Sequence, residues 1–474
     1  MIRFILCLLS LLPLIRATDV FAHFMVGNTY AYDVDQWLKD MYLAKNVGID
    51  GFMLNFTPIH CRSNMDMDWI LDRTADAYTA AEQAGFLLAP SLDMSWPNCD
   101  EPFTHDNIEE YIRLYAHSSA SYHWNHAVLV TTYGGDDNDQ YSNFFFRGLK
   151  SRMDHAGIPI SVVPALTTYS YAAQYKNADD EAARLMTEWP DIDGYKNWQA
   201  WPLDVDRNTS LAADIAFQSA QRNAGRSGPY IMTVSPWQFK DNDNGNKWDA
   251  WVQYSDTLFP DRWRAVATAT AEHRPDIVEI ISWNDFCESH YIRDLPSDSP
   301  DDTDYVVLGD MGRYVDRQPH GPWRAIARHY IHHMRNGRAP APTEDRVVFW
   351  HRLHRGNAQC AEGSDSIRNS DYPTDALFAW ASLAVSGTVT LELGSGSTAF
   401  YVNAADGPRM VQLPFPSDSS IDGLRPKVAI YRFGRQVRSC DGPRYLSETC
   451  EVKNFNPVVG GCGSGFLPKD VAVV

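Results

Sequence analysis

Between residues 20 and 285 one alternation repeats: a short apolar or β-branched run, then a stretch with apolar residues every three or four positions. The runs are VFAHFMVG (20–27), GIDGFMLNF (48–56), GFLLAPSLDM (85–94) and AVLVTTYGG (127–135), then IPISVVPAL (158–166), DGYKNWQAW (193–201), YIMTVSPW (230–237) and DIVEIISWND (276–285). DVDQWLKDMYLAKNVG, MDWILDRTADAYTAAEQAG and SLAADIAFQSAQRNAG carry the helical spacing between them. Gly48, Gly85 and Gly157 stand where helices should stop just before the next strand. Strand and helix alternating eight times predicts a (β/α)8 TIM barrel. A doubly wound open sheet is the alternative, but it usually carries a Gly-rich phosphate turn after its first strand, and FMVGNTYAYD has none.

The period then changes. A last helix, GPWRAIARHYIHHMRNG (321–337), leads into the Pro-Ala stretch RAPAPTED. Beyond it VVFWHRLHR, TVTLELGSG, TAFYVNAADG, RMVQLPF and KVAIYRFGRQV alternate with period two between Gly, Asp and Pro turns, which predicts a C-terminal β-sandwich. The expected organisation is a signal segment at 1–17, a barrel at 18–338, a linker at 339–345 and a sandwich at 346–474. The signal reading rests on Arg3 followed by the apolar stretch Phe4 to Ile15, too short to span a bilayer. It predicts a secreted protein, extracellular or wall-bound.

Charge narrows the partners. A net charge of -19 opposes binding to nucleic acid, which demands a basic face, and to an anionic membrane surface. Neutral sugars are not excluded, and 15 Trp with 23 Tyr supply faces on which pyranose rings stack. Without the signal, Cys61, Cys99, Cys287, Cys360, Cys440, Cys450 and Cys462 remain. Cys61 and Cys99 follow adjacent strands and are candidates to bridge, the last four should staple the C-terminal region, and Cys287 is expected to be the free thiol.

Barrel chemistry sits at the C-terminal ends of strands. Those ends offer His23 and Asn28, Asn55, Asp93 with Trp96, Tyr133 and Asp136, Trp198 and Trp201, and Trp237 with Lys240. The eighth offers Trp283, Asn284, Asp285, Glu288, His290 and Tyr291. Carboxylates at the third and eighth ends, ringed by aromatics, fit glycoside hydrolysis: an acid, a base and stacking platforms. The bland reading makes Asp285 and Glu288 a helix-initiating pair, but it leaves the flanking Trp-Asn and His-Tyr unexplained. A histidine within an apolar strand, His23, reads equally as a satisfied core residue. DNDNGNK (241–247) fails as a calcium loop because Val252 stands where Glu is required, and HYIHHM (329–334) reads as surface histidines. No nucleophile elbow, Walker loop or dinucleotide fingerprint occurs.

VFAHFMVGN, GIDGFMLNF, SLDMSWP, TVSPWQFK, WVQYSDTLFPDRW and VEIISWNDFCESHYI together resemble glycoside hydrolase family 71, the fungal α-1,3-glucanases or mutanases. The resemblance implies a barrel with an accessory β-sandwich and hydrolysis of α-1,3-glucan by an inverting mechanism. It puts the catalytic carboxylates at Asp285 and Glu288, with Asp93 matching a third-strand aspartate. Phe286-Cys287 departs from the family's pattern between the two carboxylates, which bears on loop shape. GGDD after the fourth strand also departs, which leaves Asp136 without a family role. Glu288 as acid and Asp285 as base is the first assignment, with the reverse left open. Trp201, Trp237, Trp283 and Tyr291 are the stacking candidates; His23, Asn55, Asn284 and His290 are the hydroxyl-binding ones. No metal or organic cofactor is expected, and a monomer is. Two rivals stand beside this reading: a barrel glycosidase acting on another α-glycan, and a non-hydrolytic wall protein that binds glucan without cleaving it.

Overall fold

The computed structural model describes residues 17–59, 68–95, 101–137, 141–242, 249–295, 308, 311–362 and 367–466. The signal segment, Cys61, Cys99, Trp96 and most of DNDNGNK lie outside them.

Eight parallel strands follow the predicted runs: β1 (Asp19–Met25), β2 (Gly51–Phe56), β3 (Leu87–Asp93), β4 (Ala127–Tyr133), β5 (Ile160–Ala165), β6 (Tyr195–Asn197), β7 (Tyr230–Val234) and β8 (Ile277–Ile280). They pair in the order β5-β4-β3-β2-β1-β8-β7-β6 within one sheet, which a short antiparallel strand, His123–Trp124, extends beside β4. The sheet is curled, and between its two edge strands the amide of Asp193, just before β6, donates to the Val162 carbonyl of β5 at 2.9 Å. Helices fill the crossovers. The first, Val34–Val47, starts on an Asp33–Gln36 capping box and stops at Gly48, whose φ of 100° favours glycine.

Side chains alternate across each strand. Val20, Ala22 and Phe24 of β1, Phe52 and Leu54 of β2, and Val278 and Ile280 of β8 face the helices in the main apolar core. The opposite face fills the interior in storeys. Phe21, Met53, Ala89, Leu129, Val163, Ile231 and Ile277 form an apolar floor. Two residues further along, Ala165 is apolar, but His23, Asn55, Ser91, Thr131, Thr233 and Glu279 are buried and polar or charged, and the buried Lys196 of β6 joins them. The third storey opens to solvent.

The tail supplies two four-stranded sheets. Arg346–His351, Ala376–Ser382, Arg409–Pro414 and Val458–Cys462 make one; Gly387–Leu393, Gly396–Val402, Lys427–Arg432 and Arg435–Asp441 make the other. Val347, Phe349, Leu377, Leu391 and Ile430 share the core between them. Period two in the first sheet does not mean one wet face. Val348, Trp350, Phe378 and Trp380 point the other way and join the main core. His329 is buried there too, its ring 5.4 Å from Trp380, so the expected surface histidine is a packing residue. Cys360–Cys450 and Cys440–Cys462 are disulfides, and Cys287 is free.

Candidate active site

The third storey opens as a cleft of about 360 Å³, lined by His23, Met25, Asn28, Asn55, Asp93, Ser95, Tyr133, Trp198, Lys240, Asp285, Cys287 and Glu288. It gathers residues from the ends of seven elements, as a barrel mouth would. Of the residues to which the sequence assigns a role it brings together His23, Asn55, Asp93, Asp285 and Glu288, and with them the strand-end residues Asn28, Tyr133, Trp198 and Lys240.

The loop after β8 carries the chemistry and is fastened at both ends. Ser282 N donates to His290 O at 2.8 Å, and Arg293 N donates to Trp283 O at 3.0 Å. Asp40 of the first helix accepts from Trp283 Nε1 at 3.2 Å and from Arg293 Nε at 2.6 Å, clamping the loop where it leaves and returns. Glu288 N donates to Asp285 Oδ1 at 3.3 Å, the contact of a helix cap, yet no helix follows. The cap-like turn instead aims both carboxylates inward.

Their surroundings differ. Glu288 Oε1 accepts from Lys240 Nζ at 2.9 Å, and Oε2 accepts from Gln238 Nε2 at 3.2 Å and His290 Nε2 at 3.3 Å. Burial alone would raise its pKa, but the Lys240 charge and the His290 hydrogen bond outweigh burial and hold Glu288 well below the usual carboxylate range. Asp285 is 3.6 Å from His290 Nε2 and makes no direct ion pair with Lys240. Burial raises it; His290 opposes and the Glu288 charge adds, leaving Asp285 above the usual range. His290 Nδ1 meets Ser282 Oγ at 3.0 Å, and Ser282 Oγ accepts from Asp285 N, so the imidazole is fixed with Nε2 toward the carboxylates. One oxygen of each carboxylate and His290 Nε2 lie within 4.8 Å of one another. Asp93 faces the cleft from β3, its Oδ1 accepting from Ser95 N at 3.1 Å and Ser95 Oγ at 2.7 Å.

Several expected sugar contacts are elsewhere. Trp283, Trp237 and Tyr291 are at most 1% exposed. Trp283 packs on Phe52, Trp237 donates to the Phe455 carbonyl at 3.0 Å, and Tyr291 stacks on His320 while its hydroxyl donates to Gln318 O. Trp201 is buried as well and donates to the Trp237 carbonyl. These rings brace the mouth and present no face to a sugar. Asn284 is spent on β1, its Oδ1 accepting from Met25 N at 2.8 Å and its Nδ2 donating to Met25 O at 3.1 Å. His290 serves the carboxylates. Asp136 caps the helix that begins at Thr167, accepting from Thr167 N at 3.0 Å and Thr168 N at 2.9 Å.

The aromatic surface that does line the cleft belongs to Trp198 and Tyr133, whose rings lie 4.5 Å apart. Both stand at strand ends, where the sequence reading named them without a role. It missed Gln238, Lys196 and Glu279. Glu279 carries a visible signal, an acid at an inward position of the otherwise apolar strand IVEI. The Cys287 thiol is pushed up to about 12, first by burial and then by Asp285, so it stays protonated beside the carboxylates.

A family profile, Glycosyl hydrolase family 71, matches residues 16–469. A glucan endo-1,3-alpha-glucosidase of Schizosaccharomyces pombe is 30% identical over 97% of this chain and 99% of its own. A mutanase of Penicillium rubens is 28% identical over 94% of this chain and 89% of its own. An ascus wall endo-1,3-alpha-glucanase of S. pombe is 26% identical over 83% and 89% respectively. Among solved structures, an endo-alpha-mannosidase of Bacteroides thetaiotaomicron aligns with 67% of this chain and 98% of its own at 11% identity and a TM-score of 0.45.

Proposed function

Because the chain belongs to glycosyl hydrolase family 71, we propose that it hydrolyses α-1,3-glucosidic bonds of α-1,3-glucan, using Asp285 as general acid and Glu288 as general base. The observation that carries the assignment is the Lys240–Glu288 ion pair. An acid must hold a proton until the glycosidic oxygen takes it, and a base must be ionised to activate water. Lys240, Gln238 and His290 favour the ionised form of Glu288, while burial beside that charge raises the pKa of Asp285 and makes it the better proton holder of the two. The electrostatics thus favour the reverse of the first sequence-based assignment. Asp93 faces them across the cleft and orients the sugar or the water. Trp198 and Tyr133 are the stacking platform, with His23 and Asn55 on hydroxyls.

We read the curled parallel sheet as a (β/α)8 barrel spanning 18–338, joined by 339–345 to a β-sandwich at 346–474. The Asp193–Val162 hydrogen bond across the edges supports closure. We read the protein as exported to act on wall glucan; the two disulfides suit an oxidising compartment. No helix among the described residues is long and apolar enough to cross a membrane.

The reading is tested on a panel of insoluble α-1,3-glucan, α-1,4-glucan, α-1,6-glucan and α-mannan. Reducing sugar should be released from the first alone. Equal or faster release from α-mannan would replace the proposed specificity, and tight binding to α-1,3-glucan without release would make the protein a binder.

A further inference from the structure

Beneath the cleft lies a charged cluster that the acid–base scheme does not use. Glu279 of β8 is fully buried, and so is Lys196 of β6. His23 Nδ1 is 2.8 Å from Glu279 Oε1, and Lys196 Nζ is 3.3 Å from Glu279 Oε2. Lys196 also donates to Ser91 Oγ at 3.3 Å and Thr131 Oγ1 at 3.5 Å. The three charged or titratable groups come from β1, β6 and β8, directly above the apolar floor. Burying them is costly unless each is answered by a partner in good geometry. An interior this narrow would fill with Val, Ile and Leu if packing were all that was required.

The partner of the cluster that reaches the cleft is His23. Its ring is held edge-on to Trp198 with centroids 5.0 Å apart, so it cannot rotate freely. Glu279 is an acceptor, and Lys196 keeps it so: the neighbouring ammonium and the His23 hydrogen bond overcome burial and lower its pKa. Burial lowers that of His23, which Glu279 only partly offsets, and so favours the neutral imidazole. A neutral imidazole that donates from Nδ1 has a bare Nε2.

We propose that Glu279 is a positioning residue: paired with Lys196, it fixes the Nδ1–H of His23 and thereby presents the bare Nε2 of His23 to the cleft as acceptor for a sugar hydroxyl. Glu279 touches no substrate and acts through His23. The role of the hydroxyl rests on the reading of this cleft as a sugar site; the tautomer does not. A fixed acceptor sorts ligands by hydrogen-bond polarity, since a hydroxyl that has to accept from another group can still donate here.

The test begins without substrate. Ring ¹⁵N shifts of His23, assigned in histidine-labelled protein by comparison with His23→Gln, should show a protonated Nδ1 and an unprotonated Nε2 at neutral pH. An Nε2–H tautomer or an imidazolium would overturn the proposal, whatever glucan the enzyme cleaves. The second arm is Glu279→Gln. Lys196 should attract the amide oxygen and turn the amide nitrogen toward His23, so that the proton moves to Nε2. With the circular dichroism spectrum unchanged, KM for α-1,3-gluco-oligosaccharides should rise about 10- to 100-fold with kcat within about threefold, as loss of a charge-assisted positioning bond implies. An unchanged KM, or a fall in kcat alone, would overturn it. If Glu279→Gln does not fold, the wild-type ¹⁵N measurement decides.

Discussion

Replacing Lys240 by Met tests the electrostatic division of labour. The ammonium lies 2.9 Å from Glu288, and each side chain is 24% exposed. Two unit charges about 4 Å apart interact by roughly 4 kcal/mol at an effective dielectric near 20. Partial exposure and desolvation reduce the net effect to about 1.5–3 kcal/mol, or roughly one to two pKa units. The sign follows from the charges. Lys240 lowers the pKa of Glu288, so its removal raises it, and Glu288 then takes up a proton at a higher pH. A base is lost on protonation, so the acidic limb of kcat/KM should move up by about one to two pH units. Asp285 also loses a lowering influence, so the alkaline limb should move the same way. The shift should be larger on the acidic side, because Lys240 bonds Glu288 directly. The assay is the pH profile of reducing-sugar release from soluble α-1,3-gluco-oligosaccharides, wild type against Lys240→Met, with circular dichroism as the check on folding. An acidic limb that stays in place or moves down would refute the pairing as the source of Glu288's acidity.

Three further outcomes follow from the same geometry. Cys287→Ala should leave kcat and KM within about threefold, because a thiol pushed up to about 12 is neither nucleophile nor base; a loss beyond tenfold would give it a role. Trp198→Ala should raise KM for oligosaccharides roughly tenfold or more, since its ring is part of the cleft wall, whereas an unchanged KM would remove it as a platform. Trp283→Phe should lower stability by about 1–3 kcal/mol in chemical denaturation by removing one of the two donors to Asp40 Oδ2, the other being Tyr32 Oη, with KM unchanged.

The strands were legible because inward and outward positions alternate through runs of Val, Ile, Phe and Leu, and because Gly48 and Gly85 punctuate them with left-handed caps. Asp285 and Glu288 were legible as polar residues at a strand end that turn chemistry alone does not require. Aromatic roles were not. Trp283, Trp237 and Trp198 occupy similar positions in sequence, but only Trp198 lies inward on its strand above the buried Lys196; the others turn toward Asp40 and Phe455. That choice depends on contacts 218 or more residues away, such as Trp237 with Phe455. The order of acidity was hidden for the same reason: Lys240 is separated by 48 residues from the carboxylate whose charge it holds.

The central claim is that Asp285 and Glu288 cleave α-1,3-glucan, and the most direct measurement is time-resolved product analysis on that polymer by proton NMR for wild type, Asp285→Asn and Glu288→Gln. Wild type should release sugars whose first reducing ends are β-anomers, as the inverting mechanism implied by the family resemblance requires. Each variant should fall by roughly three orders of magnitude in kcat with an intact fold. Near-normal activity in either variant would contradict the carboxylate assignment, and α-anomers appearing first would contradict inversion.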